Sequence, residues 1–344
     1  MEKCKMIKKW ALASVLSSSL LLAGCGGENK ETAANADKKN KTDKESFDIM
    51  LDWYPNAVHS YLYAAKEKGY FEEEGLDVNI RFPANPTDPI NLAATGDIEL
   101  GITYQSDVIT ARADGVPVKS VAAIVRSPLN HIIYLKDSDI KRPKDLEGKT
   151  VGWPGIPLNE PLVQTIVESD GGDMSKVKMT DIGFELNAAI ATKRVDAVSG
   201  AFINHEVPML QQQGIETEHF NPVDFGVPSY YELVFVTNDG TWNEKEDSIR
   251  AFWRAAAKGY EFMKENPEEA LGILLDNQDK ENFPLSEEVE KASLNILLPK
   301  MEAEKEPFGS QSEELWEEVI RWLEDTNYIE EASPAEKLFI NLVE

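Results

Sequence analysis

The sequence predicts an α/β protein of two lobes, each a mostly parallel sheet flanked by helices, with a cleft between them. Three observations carry this reading. The chain has 344 residues, 42% of them hydrophobic, enough for two cores at roughly 100–200 residues per domain. Short apolar runs alternate with helical patterns from Phe47 to Thr237, and such alternation specifies sheets flanked by helices. Aromatic and amide side chains cluster where several of the strands should end, which is where open α/β sheets carry their ligand crevices.

Taken in order, residues 1–24 have the pattern of a secretory signal: Lys3, Lys5, Lys8 and Lys9 precede an apolar run from Trp10 to Ala23. At 1.5 Å per residue, a run of about fourteen residues is too short to span a bilayer as a helix. Its end, Leu22-Ala23-Gly24-Cys25, resembles a bacterial lipobox, so Cys25 is the expected lipidation residue and the mature N-terminus. The only other cysteine, Cys4, would leave with the signal, and cysteine nucleophiles and disulfides are excluded from the body. Residues 25–46 hold no aromatic, Ile, Leu or Val, so they cannot bury enough apolar surface to fold and read as a tether.

Phe47-Asp48-Ile49-Met50-Leu51 reads as the first strand, and Ser60 to Lys68 as a helix stopped by Gly69. Leu76 to Phe82 alternates at period two, a helix follows near Thr87 with Pro89 in its first turn, and Ile98 to Ile102 reads as a third strand. Further strands are expected at Val118–Val125, His131–Leu135, Thr150–Trp153, Val177–Ile182, Asp196–Ser199 and Tyr231–Thr237, with helices around 158–169, 186–193 and 204–213. From Asn243 onward the pattern is mostly helical with Glu-rich faces. The chain should cross between lobes near Leu135–Asp137 and near Gly226–Ser229, giving lobe I as 47–136 with 229–344 and lobe II as 137–228.

The charge of −26 and pI near 4.6 exclude nucleic acid and a polybasic membrane surface as partners, because both need clustered positive charge. Four scattered histidines offer no metal-ligand spacing, so no metal is expected, and His131 reads as structural. The chain lacks the Gly-x-x-x-x-Gly-Lys phosphate loop, Gly-x-Gly-x-x-Gly, Gly-x-Ser-x-Gly and His-Glu-x-x-His. Instead, Asp52-Trp53-Tyr54-Pro55-Asn56-Ala57-Val58-His59, Thr103-Tyr104-Gln105 and Gly152-Trp153-Pro154-Gly155 follow strands. They place π-faces with a few donors and acceptors around one mouth, a combination suited to a flat polar ring. Pro154 and Pro157 remove backbone donors from the third loop, and no Lys or Arg stands nearby, so an anionic ligand is disfavoured.

Leu51-Asp52-Trp53-Tyr54-Pro55-Asn56, with Gly69-Tyr70-Phe71-Glu72-Glu73-Glu74-Gly75-Leu76-Asp77-Val78, resembles the opening of the thiamine-pyrimidine solute-binding proteins of ABC importers, a family that includes the fungal thiamine-pyrimidine synthases. Ala111 to Val118, Asp145-Leu146-Glu147-Gly148-Lys149 and Asn266-Pro267-Glu268-Glu269-Ala270 extend the likeness over nearly all of 47–275. The resemblance implies a type II periplasmic-binding fold that closes on its ligand. It implies Trp53 and Tyr104 as stacking rings, Asn56 and His59 as polar contacts, and Glu206 as the acid that reads the aminopyrimidine. Trp153, Gly155, Tyr230 and Tyr231 complete the expected site. The implied ligand is a thiamine-derived pyrimidine, N-formyl-4-amino-5-aminomethyl-2-methylpyrimidine first, with hydroxymethylpyrimidine, thiamine and riboflavin left open. The implied partners are a permease, its ATPase and the membrane that holds the lipid anchor. Thr103 and Asp107 stand where the synthases have a lysine and a histidine for pyridoxal phosphate, and Pro154-Gly155-Ile156-Pro157 replaces their phosphate loop. These departures imply binding without chemistry and without a cofactor. The alternative is a surface enzyme using His59 or the His205–Glu206 pair as acid and base.

Overall fold

The computed structural model describes residues 44–303 and 305–343. The expected signal, Cys25 and the tether as far as Asp43 lie outside them. The first run of elements is β1 (Glu45–Met50), α1 (Ser60–Glu67), α2 (Tyr70–Glu73), β2 (Leu76–Arg81), α3 (Asp88–Thr95), β3 (Leu100–Thr103), α4 (Gln105–Ala113) and β4 (Val118–Val125). The second run is β5 (Asn130–Leu135), β6 (Thr150–Trp153), α5 (Asn159–Ser169), β7 (Lys178–Asp181), α6 (Leu186–Ala191), β8 (Ala197–Phe202), α7 (Glu206–Gln212) and β9 (Thr217–Phe220). The chain then returns through β10 (Leu233–Asn238) to α8 (Asp239–Glu265), α9 (Pro267–Asp276), α10 (Glu287–Met301) and α11 (Glu313–Asp325).

The strands form two five-stranded sheets, ordered β2-β1-β3-β10-β4 and β7-β6-β8-β5-β9. This is a two-lobe α/β fold. In the first sheet β1 pairs in parallel with β2 and β3, while β10 runs against β3 and β4. The second repeats the scheme, with β6 parallel to β7 and β8, and β5 against β8 and β9. Parallel neighbours need a crossover, usually a helix, between them. The strands β5 and β10 arrive directly from the other sheet, so each can run against its neighbours.

Three local expectations change. The first passage between sheets falls at Arg126–Leu129 rather than near Leu135–Asp137, because β5 already pairs with β8 and β9 and its Ile132 and Ile133 are fully buried. β1 starts at Glu45, two residues inside the expected tether, since the Glu45 N–H donates to the Gly75 carbonyl at 2.9 Å and β2 extends the pairing. β9 was not expected at all. Of its residues only Phe220 is buried, so this edge strand carries little apolar signal.

Close packing in the first lobe depends on particular small residues. A Cβ on Gly259 of α8 would stand 2.3 Å from the Tyr61 carbonyl oxygen, so glycine allows α8 to lie against α1. Beneath them Phe252 stacks on Phe47 and Phe71 at 5.1 and 5.2 Å between centroids. The two passages between lobes are also tied together. Fully buried Glu232, in the returning passage just before β10, accepts N–H bonds from Leu129 at 2.5 Å and Asn130 at 2.8 Å, where the outgoing passage enters β5. Burial pushes its carboxyl up to about 7.

Candidate functional site

The loops after β1 and β3 face the end of β8 and the start of α7 across a small, narrow cavity. The first lobe supplies Asp52, Trp53, Asn56, Val58 and Tyr104; the second supplies Leu186, Gly200, Phe202, Asn204, His205 and Glu206.

The β1 loop is fixed by its own hydrogen bonds. Asn56 Oδ1 accepts from the Val58 N–H at 3.1 Å, capping the turn Ala57–His59. The Asn56 N–H donates to His59 Nδ1 at 3.2 Å, so the ring proton sits on Nε2 and is donated to Asp52 Oδ1 at 2.9 Å. His59 is wholly buried and does not line the cavity. It holds Asp52 and Asn56, which do. Trp53 extends from this loop into the second lobe's small core, where it meets Phe184 edge-on at 4.2 Å. Its Nε1 is buried with no hydrogen-bond partner.

Glu206 opens α7 with 6% exposure. Its Oε2 accepts from the Phe202 N–H at 2.7 Å, and its Oε1 lies 2.8 Å from His205 Nδ1. Burial alone would lower the His205 pKa, but Glu206 and Glu290 outweigh it and hold the ring well above its usual value, as an imidazolium. Asn204 donates its amide N–H to Ser293 Oγ at 2.9 Å, while its Oδ1 is buried without a partner. Tyr104 is buried to 4% exposure, and burial followed by Asp52, Glu232, Asp107 and Glu206 raises its phenol well above the usual range.

Of the residues expected from the sequence, the fold brings together Trp53, Asn56, Tyr104 and Glu206. Trp153 and Gly155 do not line the cavity: β6 pairs Trp153 with Asp181 on edge strand β7, and Gly155 also packs on Asp181. That loop touches the site only indirectly, through Pro154 packed behind Gly200. Tyr230 and Tyr231 are buried in the returning passage, where the Tyr231 hydroxyl accepts from the Ser312 N–H at 2.8 Å. The lining residues Asp52, Val58, Leu186, Gly200, Phe202 and Asn204 are not among the expected contacts, and His205 enters only through the enzyme alternative. Asp52 and Asn204 were legible as neighbours of Trp53 and Glu206. Leu186 and Phe202 looked like ordinary core.

At the positions compared with the synthases, the Thr103 hydroxyl donates to Asp107 Oδ2 at 3.2 Å, and burial pushes the Asp107 carboxyl up to about 7. Among the described residues no group of three or more His, Cys, Asp or Glu is placed to hold a metal ion. No described helix is long and apolar enough to cross a membrane.

The model of the family described as "NMT1/THI5 like" matches residues 56–270. The formylaminopyrimidine-binding protein of Halalkalibacterium halodurans is 52% identical over 338 residues, covering 98% of this chain and 100% of that protein. A putative thiamine biosynthesis protein of Haemophilus influenzae is 34% identical, covering 75% of this chain and 82% of its own. Among solved structures, the alkanesulfonate-binding protein SsuA of Xanthomonas axonopodis pv. citri aligns with a TM-score of 0.69 at 13% identity, over 87% of this chain and 99% of that one. That likeness concerns the fold. The family model spans most of the folded chain and a relative of half-identical sequence spans nearly all of it, so this protein belongs to the NMT1/THI5-like family.

Proposed function

We propose that the protein is the solute-binding component of an ABC importer and captures a thiamine-derived aminopyrimidine, N-formyl-4-amino-5-aminomethyl-2-methylpyrimidine first. The observation that carries this reading is a matched pair of unsatisfied polar atoms at the cavity: the Trp53 indole N–H from one lobe and Asn204 Oδ1 from the other. Buried polar atoms without partners are costly, and a ring bearing both donors and acceptors would satisfy them together. Trp53 and Tyr104 offer faces for stacking. The carboxylates of Asp52 and Glu206 accept from an exocyclic amine, and Glu206 can share a proton with a ring nitrogen. Among the lining residues none is Lys or Arg, which speaks against a phosphate or sulfonate.

Binding without turnover is favoured by the engagement of both histidines. Each His59 nitrogen already has a partner, and His205 is charged between two carboxylates, unsuited to act as a base. The permease and ATPase are the partners of this reading, and Cys25 is its proposed lipid anchor to the extracytoplasmic face. Cys25→Ser should leave binding unchanged and release the protein from the membrane fraction.

Isothermal titration with the formylaminopyrimidine, hydroxymethylpyrimidine, thiamine, riboflavin, a pyrimidine phosphate ester and an alkanesulfonate tests the function, with mass spectrometry of the recovered ligand. Tight binding of an uncharged or amine-bearing pyrimidine, recovered unaltered, is expected. Equal or tighter binding of the phosphate ester or the sulfonate, or conversion of the pyrimidine, would sink the proposal.

A further inference from the structure

One face of α10, with the residue that caps it, follows the seam between the lobes. Ser286, Glu290, Ser293 and Lys300 recur at helical spacing along it, and each meets a different part of the opposite wall or of the passage. The Ser286 hydroxyl accepts from Gln212 Nε2 on α7 at 2.7 Å. Glu290 is 1% exposed; its Oε2 accepts from the Ala57 N–H at 2.7 Å in the β1 loop, and its Oε1 stands 3.6 Å from His205 Nε2. The Ser293 hydroxyl accepts from Asn204 Nδ2 at 2.9 Å. Lys300 Nζ reaches Ser127 Oγ and the Pro128 carbonyl, both at 3.4 Å, in the outgoing passage.

We infer that this stripe is the latch of the closed cleft, and that Glu290 and His205 are its positioning residues, linking the β1 loop through Glu290, His205 and Glu206 into one buried chain across the seam. The inference rests on the binding reading above for the identity of the ligand, and on geometry for the latch. His205 and Asn204 each use one polar atom within the site and one against α10. Joining the lobes therefore orients the site's second wall. The groups that face the His205 ring are Glu206 on its own element, Glu290 from α10, and Tyr54 from the β1 loop with ring centroids 6.3 Å apart. Because the two carboxylates hold the proton on His205, the link is charged at neutral pH and weakens as alkaline conditions remove that proton. Breaking one side of a buried ion pair leaves an uncompensated charge, so the link should act on the closed state and slow escape of ligand more than it speeds entry.

Stopped-flow kinetics with the formylaminopyrimidine, for wild type, Glu290→Gln, Ser293→Ala and His205→Asn, test the positioning role. Glu290→Gln should raise the dissociation rate about tenfold or more while the association rate stays within about twofold, and Ser293→Ala should do so to a smaller extent. The wild-type dissociation rate should climb at alkaline pH, and that climb should be absent in His205→Asn. Unchanged dissociation in Glu290→Gln, or equal loss in the association rate, would overturn it. Small-angle scattering of the purified proteins, checked for folding by thermal melts, reads the latch without any ligand. Glu290→Gln should be more open than wild type, and identical profiles would overturn the latch. Failure of wild type to bind the pyrimidine would instead overturn the ligand reading, with scattering still deciding the latch.

Discussion

Glu206→Gln should weaken aminopyrimidine binding about 100-fold and lower the melting temperature by a few degrees without unfolding the protein. Both carboxylate oxygens are already engaged, Oε2 by the Phe202 N–H and Oε1 by His205 Nδ1, and each keeps accepting capacity for a ligand amine. A glutamine has one acceptor oxygen, so its amide NH₂ must face either a backbone N–H or the imidazolium, donor against donor. That clash lowers the stability of the free protein, while the ligand amine separately loses a charged acceptor; a buried donor left unpaired costs about 1–3 kcal/mol, more when its partner was charged. A loss near 3 kcal/mol corresponds to roughly two decades of affinity. Titration calorimetry gives the affinity and a calorimetric melt gives the fold. Retained affinity in the variant would remove Glu206 from recognition.

Trp53→Ala should cost about 1.5–4.5 kcal/mol of binding free energy, of which one ring stack supplies ~1–3 and the aromatic pair with Phe184 ~0.5–1.5. The indole stands at the cavity wall while its edge packs in the second lobe's core, so its loss removes a stacking face and an interlobe contact together. Phe184→Ala should lose only the smaller share, and the double variant should fall short of additivity because the two rings touch. Equilibrium fluorescence titration separates these cases. Full affinity in Trp53→Ala with loss in Trp153→Ala would move the stacking role to the β6 loop.

The parts of the site that were readable in advance are those where one segment holds several functional residue types. The run from Asp52 to His59 contains its own cap, its own Asp–His pair and four lining residues within eight positions, so local chemistry announced it. Glu206 was readable by resemblance, beside a strand end. Trp153, Gly155, Tyr230 and Tyr231 occupy equivalent strand-end positions, and nothing local distinguishes an aromatic that faces the cleft from one packed against an edge strand or buried in a passage. Glu290 was not readable at all. It is one glutamate in a helix rich in them, and its role depends on Ala57, 233 positions earlier in the chain.

The sequence by itself determined the alternation of elements, the strand-end loops, the acidic character and the family, because these follow from short-range periodicity, composition and local motifs. Tertiary structure alone decided the mixed direction of the sheets, the passage at Arg126–Leu129 and the choice of residues that share the cavity. It also decided the seating of α10 along the seam. Each of these depends on which surfaces meet after long loops close, and neither that closure nor the meeting of Glu290 with His205 is encoded in any window of neighbouring residues.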